Sequence, residues 1–190
     1  MLIIKLLIRK KPKIIKRVKG VNFVNGFIDD DGIYHPIKGE EKIRIPSENS
    51  KEFKITVWLK ENLGGRIDMV PEIETAKGAK HVSKVSTPDY IWNGEKWALK
   101  TLKNASSKTR AIDNLISNSE KQSHNFIIDI TYCKLDGQII TNQICNVFRE
   151  NKLKRDWVEK IYLVKNERLL WIFIKQKWDS PNQSVKEISL

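Results

Sequence analysis

Cysteine is scarce in this chain. Cys133 and Cys145 are the only two in 190 residues and form no CxxC pair, which excludes a disulfide-held scaffold. Long apolar runs are absent too: none approaches the roughly 18–20 residues that a membrane-spanning helix needs. The opening Met1-Leu-Ile-Ile-Lys-Leu-Leu-Ile-Arg puts Lys5 inside its apolar stretch and the basic cluster after it. A secretory signal has the reverse order, so export is not expected and a reducing cytosol is. Glycine (9) and proline (6) are few, while hydrophobic residues reach 40%. That composition can build a core and argues against a disordered chain. Acid is in deficit: 35 Lys+Arg against 23 Asp+Glu leaves +12, with a pI near 9.6. The first nineteen residues hold Lys5, Arg9, Lys10, Lys11, Lys13, Lys16, Arg17 and Lys19 and no acid at all. Such charge favours a polyanion, because each neutralised phosphate releases counterions. No RNP motif, zinc finger or bZIP basic region accompanies it.

Periodicity and turn residues give the element order. Residues 2–8 and 13–18 read as short strands. Residues 21–28 and 33–37 read as a hairpin around Asp29-Asp30-Asp31-Gly32, a triplet that lacks the EF-hand spacing and its closing Glu. A helix is expected over 46–65, between Pro46-Ser47-Glu48 and Leu63-Gly64-Gly65. A strand at 66–70 and a polar loop at 71–86 follow. Asn93-Gly94 between 87–92 and 95–102 is the strongest hairpin signal in the chain. Ser106-Ser107 should open a helix to about Gln122, with Ile112, Leu115 and Ile116 on one face. A buried strand at 126–130, a helix at 138–150 and a hairpin of 157–164 with 169–175 complete an α+β fold with a mostly antiparallel sheet. Residues 1–45 read as a small basic β-rich segment, 46–178 as the main domain, and 179–190 as a polar tail.

The chemistry concentrates between Thr87 and Asp129. Pro88-Asp89 lies on one hairpin strand and Lys100 on the other, and alternation puts Ala98 and Lys100 on one face with Trp97 and Leu99 on the other. Pro-Asp followed by acid-x-Lys is the pattern of many phosphodiesterases, where two carboxylates hold a metal or a proton and the lysine stabilises phosphate charge. Here the second acid is replaced by Ala98. The helix beyond adds Lys108, Arg110 and Gln122, with His124 following it. Asp129, inside an apolar strand, needs a partner.

Thr-Pro-Asp-Tyr-Ile-x-Asn-Gly-Glu-x-Trp-x-Leu-Lys (87–100) and Lys-Gln-x-x-Asn-Phe-Ile-Ile-Asp (121–129) resemble the CdiA C-terminal tRNase domain, over roughly residues 46–175. The resemblance implies a nuclease of the barnase/EndoU/colicin/RelE-like superfamily, a toxin acting on tRNA in the cytoplasm of a target cell. It is carried on a larger protein, a phage or a mobile element and neutralised by a cognate immunity protein, sometimes with a translation elongation factor required. It implies no cofactor. Carried over, Asp89 orients or transfers a proton, Lys100 meets the phosphate charge and Gln122 holds a backbone or ribose oxygen. Arg110 and Lys108 serve the phosphates, His124 is an acid–base candidate, and Asp129 marks the next strand. Relatives carry Asp or Glu two residues before the lysine, so Ala98 implies a weakened or inactive chain. An acid restored there is expected to leave folding nearly unchanged. Two other readings remain open: a metal-dependent PD-(D/E)XK DNA endonuclease, and a non-catalytic RNA-binding module.

Overall fold

The computed structural model describes residues 12–28, 34–36, 42–44, 46–70, 72–74, 87–103, 110–149 and 155–175. The expected 2–8 strand, Lys10 and Lys11 after it, the Asp29–Gly32 turn, the Ser106-Ser107 helix opening, Lys108 and the polar tail lie outside them. Strands β1 (Ile14–Val18) and β2 (Val21–Val24) form a hairpin whose two central residues, Lys19 and Gly20, have φ of 47° and 77°. A two-residue turn with both φ positive matches the twist of the strands it joins. β3 (Gly26–Ile28) pairs antiparallel with β4 (Tyr34–Pro36), which keeps that part of the expected hairpin of 21–28 with 33–37. β2 itself turns elsewhere. β5 (Lys42–Arg44) pairs with β7 (Glu72–Glu74), so a short strand occupies part of the stretch expected to be a loop.

Helix α1 (Lys51–Leu63) is capped by Ser50, whose hydroxyl accepts from Phe53 N at 3.2 Å, and ends on Gly64 with φ 70°. After it come β6 (Ile67–Met69), β8 (Tyr90–Trp92), β9 (Glu95–Thr101), α2 (Ala111–Ile116), β10 (Asn125–Asp129), α3 (Gly137–Phe148), β11 (Lys160–Lys165) and β12 (Arg168–Ile174). Helix α2 ends at Ile116, six residues before the expected Gln122, with Ser117 as its C-cap, and the chain continues in turns closed by Gln122 N to Ser119 O.

Among the described residues one sheet holds eight strands in the order β1-β2-β6-β8-β9-β10-β11-β12. Antiparallel pairings outnumber parallel ones four to three. The fold is α+β as expected, but its centre, β9-β10-β11, is parallel because β10 inserts between the two hairpins. All five residues of β10 are buried, and alternation explains how. Phe126 and Ile128 enter a core with α2 and α3 (Ile112, Ile116, Ile144), while Ile127 enters a second core beneath α1 (Phe23, Phe53, Leu59, Trp97). A strand covered on both faces reads as a continuous apolar run, as Phe-Ile-Ile does here. β2 pairs in parallel with β6 (Asn22 with Asp68, Phe23 with Met69), so the sheet runs across the expected boundary at residue 45.

Candidate functional site

Pro88 has no N–H to offer the β8–β9 ladder, and Asp89 compensates. Its backbone N–H donates to Trp97 O at 3.0 Å, while its Oδ2 accepts the Leu99 N–H at 2.6 Å. The carboxylate is thereby fixed beside the strand that carries Lys100. The Asn93-Gly94 turn, with φ of 51° and 88°, sets the register, pairing Tyr90 with Trp97. Asn93 also ties the hairpin to its neighbour, since its Oδ1 accepts from Arg66 N at 2.8 Å. Gly65 (φ 81°) packs under the Asn93 amide so closely that a Cβ there would collide with it.

Lys100 is half-buried and donates through Nζ to Gln122 Oε1 at 2.6 Å. Burial lowers its pKa from the ordinary lysine value, and the nearby negative charge of Asp89 opposes that shift. Asp89, Lys100 and Gln122 are therefore electrostatically or directly linked, although 33 residues separate the first from the last. This arrangement puts a partly desolvated cation next to a carboxylate, with an amide holding its position. A phosphate oxygen approaching Lys100 would meet a charge screened less than one in open water.

Ala98 lies on the same strand face but in different surroundings. It is 0% exposed, is paired with Phe126, and belongs to the apolar core under α2 and α3. Trp97 and Leu99 face the opposite core, as alternation requires. The expectation that an acid at 98 leaves stability nearly unchanged is corrected by this burial. A carboxylate at 98 loses its water and must displace packed side chains.

The remaining expected residues lie elsewhere. Arg110 Nη2 pairs with Asp113 at 2.6 Å, and Arg155 Nε approaches the same buried carboxylate at 3.0 Å, so Arg110 anchors the start of α2. His124 stands beside Trp157, with ring centroids 5.9 Å apart and Nδ1 4.0 Å from Glu159. Asp129 falls on the α1 side of β10, the face opposite Lys100. It is fully buried, forms an ion pair with Lys51, and accepts from Thr131 N (2.9 Å) and Thr131 Oγ1 (2.5 Å). Its partner was required by burial, and Lys51 on α1 could not have been named from spacing. Lys108 lies outside the described residues. Among those described, no three His, Cys, Asp or Glu side chains group as metal ligands.

Sequence reasoning passed over the buried polar cluster around Asp68. Asp68 Oδ1 accepts from Asn22 Nδ2 at 2.7 Å and from Arg66 Nε at 3.0 Å, and Oδ2 lies 2.9 Å from Arg66 Nη2. The one signal was an acid at the centre of the apolar run Ile67-Asp68-Met69. Asn22 and Asp68 are register partners whose strand neighbours Phe23 and Met69 face α1, so both point to the face that carries Asp89 and Lys100.

Residues 86–169 match the sequence model of a family described as the contact-dependent growth inhibition CdiA C-terminal domain, which bears out the resemblance of the 87–129 motif. Asp89, Lys100 and Gln122 all fall inside the match. Among solved structures, the chain is similar to a CdiA-CT/CdiI toxin and immunity complex from Burkholderia pseudomallei. Identity is 20%, the TM-score is 0.44, and the alignment covers 69% of this chain and 93% of that one. No curated protein sequence matches.

Proposed function

We propose, for a chain whose residues 86–169 match the CdiA C-terminal toxin family, that Asp89, Lys100 and Gln122 form the centre of an endoribonuclease acting on tRNA. The observation that carries this reading is the Lys100–Gln122 contact of 2.6 Å beside the Asp89 charge. In the proposed reaction a ribose 2′-OH attacks the adjacent phosphorus, the 2′-O–P bond forms and the bond to the 5′ oxygen breaks. Asp89 takes the hydroxyl proton, a water protonates the departing 5′ oxygen, and the Lys100 ammonium balances charge on the non-bridging oxygens. Gln122 holds the ammonium in place. The growth-inhibiting role of the family supports a toxin that acts inside a target cell, held in check by an immunity protein. The +12 charge makes an acidic partner suitable for that neutralisation. Among the described residues no helix is long and apolar enough to cross a membrane.

Ala98 places this chain at low activity. The resemblance implies an acid two residues before the lysine, and here that position, Ala98, is core packing. The test is to incubate the chain, Lys100→Met and Ala98→Glu with total tRNA, with an RNA-free DNA duplex, and with or without EDTA, elongation factor and GTP. Expected is slow, chelator-resistant cutting of tRNA that rises in Ala98→Glu and vanishes in Lys100→Met. Chelator-sensitive DNA cutting would transfer the site to the metal-dependent endonuclease reading. Tight tRNA binding with no cleavage by any variant would leave a binding module.

A further inference from the structure

A recess of about 450 Å³ opens between the β1–β2 hairpin and the turn from α1 into β6, lined among others by Arg17, Asn22, Lys60 and Arg66. We propose that it binds one ribose-phosphate unit of an RNA strand, a subsite that lies outside the segment matched by the family and deepens the ribonuclease reading on which it rests.

Among the described residues, three cations and no acid stand in its lining, and two of the three are held. The Arg66 guanidinium is fixed by both oxygens of buried Asp68, and the Lys60 ammonium donates to the Gly65 carbonyl across the rim. A cation held in place before binding loses less freedom when an anion arrives, and a planar guanidinium suits a phosphate. Asn22 supplies the second feature. Its amide nitrogen is committed to Asp68, which accepts only from a donor, so the side chain cannot be turned around. Its Oδ1 is then left buried with no donor among the described residues. A buried acceptor without a donor is costly, and the ligand that relieves it must carry one. A phosphodiester has no donor, whereas the ribose 2′-OH beside it does.

Position fits the same strand. Asn22 and its register partner Arg17 lie on the sheet face that carries Asp89 and Lys100, while Lys60 reaches the recess from α1. Register places Ile67 opposite Trp92 and Met69 opposite Tyr90, which sets Arg66 against Asn93 and Val70 against Asp89. The four-residue step from Arg66 to Val70, along β6 and its flanks, separates those levels by about 13 Å at the usual rise per residue. A few nucleotides of single strand span that distance, so a chain seated in the recess can lead its next phosphates toward Lys100.

The test uses uridine 3′-monophosphate, which has a 2′-OH and a phosphate but no bond for the enzyme to cut, with 2′-deoxyuridine 3′-monophosphate and inorganic phosphate as comparisons. Each is titrated into the whole chain while backbone amide resonances are followed. Expected are shifts concentrated at residues 14–22 and 60–68, and about tenfold weaker binding of the deoxy form. Arg17→Gln should abolish the shifts, and Lys134→Gln should leave them intact. Arg17 is an exposed strand residue, so its replacement leaves the fold in place. Equal binding of the ribo and deoxy forms, or of phosphate alone, overturns the role of Asn22. Shifts that gather around Lys100 instead, or that survive Arg17→Gln, overturn the recess. The outcome is separate from the nuclease reading: Lys100→Met should stop tRNA cutting and leave this titration unchanged.

Discussion

Lys100 is the residue whose ionisation most directly tests the site. Its ammonium is less favoured inside the fold than in the unfolded chain, so its pKa lies below the ordinary 10.5. The unfolded chain then binds the proton more strongly, and this group's contribution to stability rises with pH between the lowered value and 10.5. Cleavage needs the charged form, so the alkaline limb of a pH–rate profile should fall below the ordinary lysine range. Lys100→Arg should remove that limb, and Lys100→Met should cost on the order of 10²–10³ in rate. Ala98→Glu carries two opposed effects: a gain in tRNA cutting, and a stability loss of about 1–3 kcal/mol from overpacking. Calorimetry should read that loss as roughly 3–10 °C in Tm. Arg110→Ala tests the alternative to a phosphate clamp. With Asp113 4% exposed and left to Arg155 alone, the variant should lose about 1–3 kcal/mol in a denaturant titration. If tRNA affinity falls while stability holds, Arg110 serves the substrate instead.

At the scale of elements, the β8–β9 hairpin positions the site, and Asn93 is its hinge to β6. Asn93→Ala removes the acceptor for Arg66 N–H and puts alanine at φ 51°, so a loss of about 1–2 kcal/mol is expected in chemical denaturation, with activity falling alongside. This hairpin was legible because its determinants are local: a two-residue Asn-Gly turn and flanking apolar residues. Helix α1 was legible in its existence and in its Gly64 stop, but it is capped by Ser50 rather than opened at the expected Pro46-Ser47-Glu48. Helix α2 was overextended because Leu115 and Ile116 suggest a continuing stripe, whereas the turns after Ser117 return Gln122 toward Lys100. Within the site, the Asp89 and Lys100 positions came from the hairpin alone. The Lys100–Gln122 bond, the Lys51 partner of Asp129 and the Asn22–Asp68–Arg66 cluster all join residues from separate elements. Nothing in sequence spacing encodes those approaches; the sheet order does, and β10 between β9 and β11 depends on two crossovers that pack α2 and α3 on one side.

For the whole molecule, the pairing of β2 with β6 decides where the protein can be cut. With residues 1–45 removed, Ile67–Met69 would present open N–H and C=O groups, next to Phe53 and Tyr90 stripped of their cover from Val21 and Phe23. An uncovered, flat, apolar sheet edge is a template for other chains to add to. A fragment of residues 46–178 should therefore elute from size-exclusion chromatography as large or polydisperse species, although it contains Asp89, Lys100 and Gln122. A monodisperse monomer with the far-UV spectrum of its share of the sheet would show that β1 and β2 are dispensable. The basic hairpin that joins the sheet at β6 is in this sense also a guard on solubility: it closes a surface along which copies of the chain would otherwise polymerise.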